Sequence, residues 1–240
     1  MFEVLKKGLY QTFILDDNYQ YFIKGIQTTL IVTVFALILG VILGVIIAII
    51  RSAHDQQPER KKNIFLRIAN LICQIYLTVI RGTPMMVQLL IMWFVVWASA
   101  RATDGNMIRC AILAFGINSG AYVAEIIRSG IMSIDKGQME AGRSVGLTYA
   151  TTMRCVIIPQ AFKNVLPALG NELITLLKET SVVTVIGLRD LTKGALIIQS
   201  KTYQAFVPFF AIAAMYLVMV LGLSWLMGKL ERRMRQSDLR

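Results

Sequence analysis

The sequence has 240 residues, 56% of them hydrophobic, with 25 Lys and Arg against 14 Asp and Glu, a formal net charge of +11. The apolar residues are gathered into long runs instead of recurring at strand or helix period, which is a membrane composition. The cations fall between those runs and no basic patch is interleaved with aromatics on a polar domain, so the charge does not read as nucleic-acid binding.

The first 25 residues mix Lys6 and Lys7 with Asp16 and Asp17, hold only short apolar stretches and lack a small-residue cleavage site. No cleaved signal peptide is expected. Residues 26–50, IQTTLIVTVFALILGVILGVIIAII, contain no charge and would extend about 37 Å as a helix, so they form the first predicted span. A polar loop, RSAHDQQPERKKN, follows, with Pro58 and the only histidine, His54, which reads as solvent-facing in these surroundings. Residues 64–80 are apolar but interrupted by Arg67, Asn70 and Gln74, and read as an interfacial or half-buried helix leading to Arg81-Gly82-Thr83-Pro84.

A second span is predicted over 84–100, with Trp93 and Trp97 toward its far end as part of an interfacial aromatic belt. The third covers 107–129, the fourth 161–187 and the fifth 206–228. The whole is an all-α polytopic membrane unit over 1–240, without internal repeat, low-complexity stretch or soluble domain. Five positives sit at 51–67 (Arg51, Arg60, Lys61, Lys62, Arg67), five at 128–163 and five at 229–240. With five crossings, an outside N-terminus and a cytoplasmic C-terminus, all three clusters fall inside. A sixth crossing at 64–80 would put a cluster outside. Cys73, Cys110 and Cys155 are odd in number, widely spaced and in apolar surroundings, which supports neither a disulfide framework nor a metal site and reads as inert packing.

The segment 135–159 is more than a polar connector. Asp135 is placed to cap a helix starting near Lys136, Gly146 to end it in the left-handed conformation, and Pro159 to open the next helix. Two short helices meeting at Gly146 result. Small residues at Ala141, Gly142 and Ser144, flanked by Met139, Val145 and Leu147, make a low surface with apolar knobs, suited to docking on another protein. A surface helix that only joins two spans has the same composition, and composition leaves both readings open.

Glu140-Ala141-Gly142, then Gly146, then Val156-Ile157-Ile158-Pro159 resembles the EAA loop of ABC importer permeases. Gly142 replaces the family's second alanine, at a helix cost of about 1 kcal/mol, and Val156 and Ile158 replace the usual Ile and Leu. The resemblance extends to Arg81-Gly82-Thr83-Pro84, to Ala121-Tyr122-Val123-Ala124-Glu125-Ile126-Ile127-Arg128, and to Pro167 through Glu172 with Leu177-Lys178-Glu179-Thr180-Ser181. These blocks look like the branch that takes histidine, glutamine, arginine, glutamate or opines.

The resemblance implies a permease subunit that carries a polar amino acid inward by alternating access. It implies a coupling helix built on Glu140, Ala141, Gly142, Ser144, Gly146 and Leu147, seated in a cleft of an ATP-binding subunit. It further implies two such ATP-binding subunits, a second permease subunit, identical or related, an extracytoplasmic solute-binding protein, and the plasma membrane of a prokaryote. The chain itself has no GxxxxGK[ST] motif, since Gly228-Lys229 is followed by Leu230, so ATP and Mg belong to the partner and no cofactor or metal is expected here.

Ionisable and polar residues inside the predicted spans are the pathway candidates: Asn118, Tyr122, Asn171, Glu172, Thr175 and Ser181. Glu172 either meets an amino group of the solute or bonds a neighbouring helix. Asn118, Ser119 and Tyr122 form a stripe that lines a cavity or packs tightly, with Gly116 and Gly120 at small-xxx-small spacing. Glu125 and Arg128, at i and i+3, read as a mutual pair. Lys178 to Ser181 mark a gate, or Lys178 and Glu179 pair with each other. The alternative function is a membrane sensor or scaffold that docks a cytoplasmic partner without transport, and an ion-driven carrier or channel stands behind it.

Overall fold

The computed structural model describes residues 2–55 and 63–236, and among these every regular element is helical, as expected. In chain order they are α1 (Phe2–Phe13), a 3-10 turn (Leu15–Asp17), α2 (Tyr19–Asp55), α3 (Ile64–Gly82), α4 (Met85–Ile91) and α5 (Asp104–Met132). There follow α6 (Lys136–Ser144), α7 (Tyr149–Thr152), α8 (Ile158–Glu179), a 3-10 stretch (Thr180–Ile186), α9 (Leu191–Thr202) and α10 (Phe206–Gln236). Arg60, Lys61, Lys62 and Arg240 of the basic clusters, and Pro58, lie outside the described residues.

Among the described residues, four helical stretches are long and apolar enough to cross a membrane: Leu15–Asp55, Ile64–Gly82, Asp104–Met132 and Phe206–Met234. The helix at 64–82, expected at the interface, thus has the length and composition of a span, and Met85–Val96 is a shorter apolar helix. Asn63 caps α3 by accepting from the Phe65 amide at 3.0 Å, and Asn70, Cys73 and Leu77 form its buried stripe. α8 is not among the four because Lys163, Asn164, Asn171 and Glu172 lower its hydropathy.

The chain forms two compact units, each built from three stretches: 1–37, 84–116 and 173–223 in one; 38–83, 117–172 and 224–240 in the other. In the first, Leu89, Phe115, Leu176 and Leu188 are fully enclosed, and Trp93 joins them at 8% exposure with Trp97 packed alongside. Trp93 therefore belongs to the core and not to a lipid-facing belt. It sits four residues after Leu89, on the same inner stripe, where the helix widens into a π turn at Met92–Val96. A second cluster of that unit gathers Phe22, Leu191, Ile198 and Ile212.

The other unit is held by the close approach of α2 and α5. A Cβ on Gly40 would stand 2.8 Å from Ser119 Oγ, and one on Gly44 would stand 2.6 Å from Val123 Cγ1. Across the same seam, a Cβ on Gly120 would come to 3.0 Å from Leu43 Cβ and from the Tyr76 hydroxyl. That hydroxyl donates to the Ile117 carbonyl. The seam thus uses Gly40-x-x-x-Gly44, the spacing that lets membrane helices touch backbone to side chain, in addition to the expected Gly120.

Candidate coupling and pathway sites

The segment expected to dock a partner folds as an elbow whose corners are set by local chemistry. Asp135 accepts from the Gly137 amide at 2.7 Å and starts α6. At the other end Gly146 takes φ +87°, the Leu147 amide bonds Gly142 O at 3.1 Å and the Gly146 amide bonds Arg143 O at 3.1 Å. This pair of bonds is a Schellman stop, which satisfies carbonyls that the helix end would otherwise leave open. Arg143 Nη1 donates to Leu147 O at 3.0 Å and locks the corner, and Thr148 accepts from the Thr151 amide at 3.2 Å to start α7.

Glu140, Ala141, Ser144 and Gly146 are exposed on this elbow, and Leu147 is half-buried. Val145, at 76% exposure, is its most open apolar side chain. Gly142 differs: it is buried, and a Cβ there would lie 2.4 Å from Thr152 Cγ2 and 2.8 Å from Thr152 Oγ1. The residue that looked like a weak substitute for alanine is what lets α6 and α7 close, because Thr152 is itself fully buried.

Pro159 falls in the first turn of α8, as expected, but the helix does not start afresh there. The chain runs on from α7 through a π turn at Met153–Ile157 directly into α8, where the Ile158 amide bonds Met153 O. A wide turn ahead of a proline accommodates the missing amide and the ring together, which is why the run is not broken there. Pro167 lies inside α8. Cys155, in the wide turn, is exposed, so the inert-packing reading holds only for Cys73 and Cys110, which are buried.

Of the pathway candidates, Asn118, Tyr122, Asn171 and Glu172 belong to the unit that carries the elbow. Thr175 and Ser181 belong to the other, on α8 and the 3-10 stretch after it. Ser119, fully buried on α5, donates to Glu172 Oε1 at 2.8 Å. The neighbouring-helix bond foreseen as one reading of Glu172 is therefore present, made by a residue of the polar stripe outside the candidate set. Glu172 remains partly exposed, Asn171 and Thr175 are exposed, and Asn118 is buried. Tyr122 is 39% exposed, with the Arg81 guanidinium 5.7 Å from its ring centroid. The helix tightens at Thr180, and the ion pairs among the described residues do not include Lys178 with Glu179.

The expected Glu125 and Arg128 pair forms at 2.8 Å, but it is part of something larger. Arg51 from α2 and Arg81 from α3 also converge on Glu125, at 3.6 and 3.8 Å from Oε2. One carboxylate thus ties α2, α3 and α5. The RGTP and AYVAEIIR blocks are the visible signal, yet no spacing rule brings residues 51, 81 and 125 together; only the packing does.

The family described as "Binding-protein-dependent transport system inner membrane component" matches residues 63–236. The arginine transport system permease protein ArtQ of Bacillus subtilis is 41% identical over 167 residues, 70% of this chain and 76% of that protein. The glutamine transport system permease protein GlnP of Escherichia coli is 39% identical over 168 residues, 70% of this chain and 77% of that protein. Among solved structures, an amino acid ABC transporter crystallised with histidines is 45% identical, covers 90% of this chain and 94% of its own, and superposes with a TM-score of 0.79. An inward-facing MetNI methionine ABC transporter shares the fold at 17% identity and a TM-score of 0.74, covering 92% of this chain and 99% of its own.

Proposed function

The chain belongs to the inner-membrane components of binding-protein-dependent transport systems, and on that footing we propose that it is the permease subunit of an ATP-driven importer carrying a polar amino acid into the cytoplasm by alternating access. The observation that carries the reading is the elbow at 135–152. It is closed at both ends by caps, locked by Arg143, and turns Glu140, Ala141, Ser144 and Val145 outward. A rigid, convex, small-residue surface transmits force from a partner because it deforms little when pushed. Relatives named for arginine and glutamine transport support a polar amino acid as the solute.

In this reading two ATP-binding subunits hold ATP and Mg, a second permease subunit completes the pathway, and an extracytoplasmic binding protein delivers solute. The chain itself binds no cofactor. It lies in the plasma membrane of a prokaryote with five crossings, N-terminus outside and C-terminus cytoplasmic. The unit with the elbow carries 16 of the 25 Lys and Arg residues, which supports a cytoplasmic side for its polar segments. Glu172 offers a carboxylate to the amino group of the passing solute, and the Ser119 bond holds that carboxylate in one orientation.

The test is ATP-dependent uptake of labelled amino acids into proteoliposomes containing the cognate ATP-binding and solute-binding proteins. Gly146→Trp, which forces a bulky L-residue into φ +87° at the corner, should abolish uptake and weaken association of the ATP-binding subunit. Glu172→Gln should change solute selectivity while leaving that association intact. If no amino acid moves although the ATP-binding subunit still binds, the sensor or scaffold reading replaces transport.

A further inference from the structure

The three arginines around Glu125 are more charge than that carboxylate can hold. Arg128 takes Oε1 at 2.8 Å, and its Nε also approaches Oε2 at 3.5 Å. Arg51 and Arg81 share that same Oε2 at 3.6 and 3.8 Å, both beyond ordinary hydrogen-bond length. Asp55 contributes negative charge toward Arg128, and even so the cluster keeps a cation in excess. Among the described residues, Arg51 Nε is buried with no hydrogen-bond acceptor. A buried guanidinium N–H without an acceptor is expensive, and its natural complement is an oxyanion.

Space for one is present. A cleft of about 500 Å³ opens between Arg51, Arg81 and Glu125, with Gln74 and Thr78 of α3 on its wall. At 100° per residue, Gln74, Thr78 and Arg81 fall on one stripe of α3, flanked on one side by the buried stripe of Asn70, Cys73 and Leu77. On the other side lies an open apolar stripe: Leu71 at 55%, Ile75 at 56% and Val79 at 54% exposure. α3 has the length and composition of a membrane helix. A polar cationic cleft bordered by an exposed apolar ridge on a membrane helix fits a molecule with an anionic head and a hydrocarbon tail.

We propose that this cleft binds an anionic phospholipid of the inner leaflet, its phosphate held by Arg51 and Arg81 and an acyl chain lying along Leu71, Ile75 and Val79. The phosphate supplies acceptors for the Arg51 and Arg81 guanidinium ends and relieves their competition for Glu125 Oε2. Gln74 and Thr78 add neutral donors to the headgroup without adding charge. The site goes beyond the transport reading; its inner-leaflet placement rests on the orientation proposed above, whereas the lipid preference does not, because lipid retention is measured without solute or ATP.

The test is native mass spectrometry of the full chain released from micelles containing phosphatidylglycerol and phosphatidylcholine in equal amounts, with inorganic phosphate added in a parallel arm. The wild type should retain phosphatidylglycerol over phosphatidylcholine by about fivefold or more, the scale of one cation near a membrane surface. Arg81→Gln should reduce that preference to parity. Gln74→Glu, which keeps all three arginines and Glu125, should do the same, because its carboxylate on the cleft wall repels the phosphate and takes up the surplus cation. Arg101→Gln, an exposed cation of the other unit, should leave it unchanged. Equal retention of the two lipids by the wild type, or a preference that survives both Arg81→Gln and Gln74→Glu, overturns the site. So does inorganic phosphate binding to the wild type without any lipid preference.

Discussion

Ser119 Oγ donates to Glu172 Oε1 at 2.8 Å from a position with no solvent exposure, against the spot where Gly40 leaves room on α2. A hydrogen bond to a charged acceptor contributes about 1.5–3 kcal/mol, enough to set the direction in which the carboxylate points. In uptake measurements, Ser119→Ala should raise the apparent KM for a cationic amino acid by about tenfold, since losing the anchor costs roughly one such bond. Glu172→Gln should instead change which solutes are carried. A Ser119→Ala transporter with unaltered KM and selectivity would show that Glu172 is not a solute contact held by this bond.

Gly142→Ala sets two magnitudes against each other. Alanine gains about 1 kcal/mol of helix propensity, whereas a Cβ 2.4 Å from Thr152 Cγ2 brings overpacking of about 1–3 kcal/mol. Overpacking should win in a corner where Thr152 is fully enclosed. Thermal melts of the full chain should therefore show Gly142→Ala below wild type and the double variant Gly142→Ala with Thr152→Ala restored toward it. Failure of the second change to rescue would mean that the two residues do not limit each other.

Asp190, fully buried between α8 and α9, caps α9 by accepting from the Thr192 and Lys193 amides at 3.1 and 2.9 Å. Burial pushes its carboxyl up from 3.8 to about 6, while those two backbone bonds work in the opposite direction. A carboxyl whose folded pKa lies above its unfolded value favours folding most when protonated. Its contribution is therefore full below the unfolded value and declines as pH rises from about 4 to about 6, then stays level. Asp190→Asn keeps a neutral capping oxygen and should flatten that part of the stability profile in melts taken on both sides of the window. An unchanged slope would assign the pH dependence to other groups.

Cys155 is exposed in the wide turn before α8, and Cys73 and Cys110 are buried. A maleimide should modify one thiol on the folded permease and all three after denaturation, read as mass increments on the intact chain. Rapid labelling of two or three thiols in the folded state would contradict the packing of α3 or α5.

What this sequence determined by itself is what depends on neighbours a few residues apart. The uncharged run at 26–50 could only be a membrane helix. Asp135 and Gly146 announced both ends of α6, because a cap and a left-handed stop are made by the segment's own side chain and backbone. Glu125 and Arg128 were legible as a pair for the same reason.

Packing alone settles which of many similar residues face one another. Trp93 reads as a belt residue because a membrane helix is apolar all round, so hydropathy cannot separate its core side from its lipid side. Gly142 reads as a poor alanine until Thr152, ten residues on, occupies the space a methyl would need. Pro159 does sit in the first turn of α8, but that α8 runs on without a break from the π turn before it is decided by the packing. Ser119 meeting Glu172, and Arg51 and Arg81 meeting Glu125, join side chains 53, 74 and 44 positions apart. No local periodicity encodes such pairings; they exist because the helices pack, and for Arg51 and Glu125 the glycines on α2 and α5 are what let the two helices close.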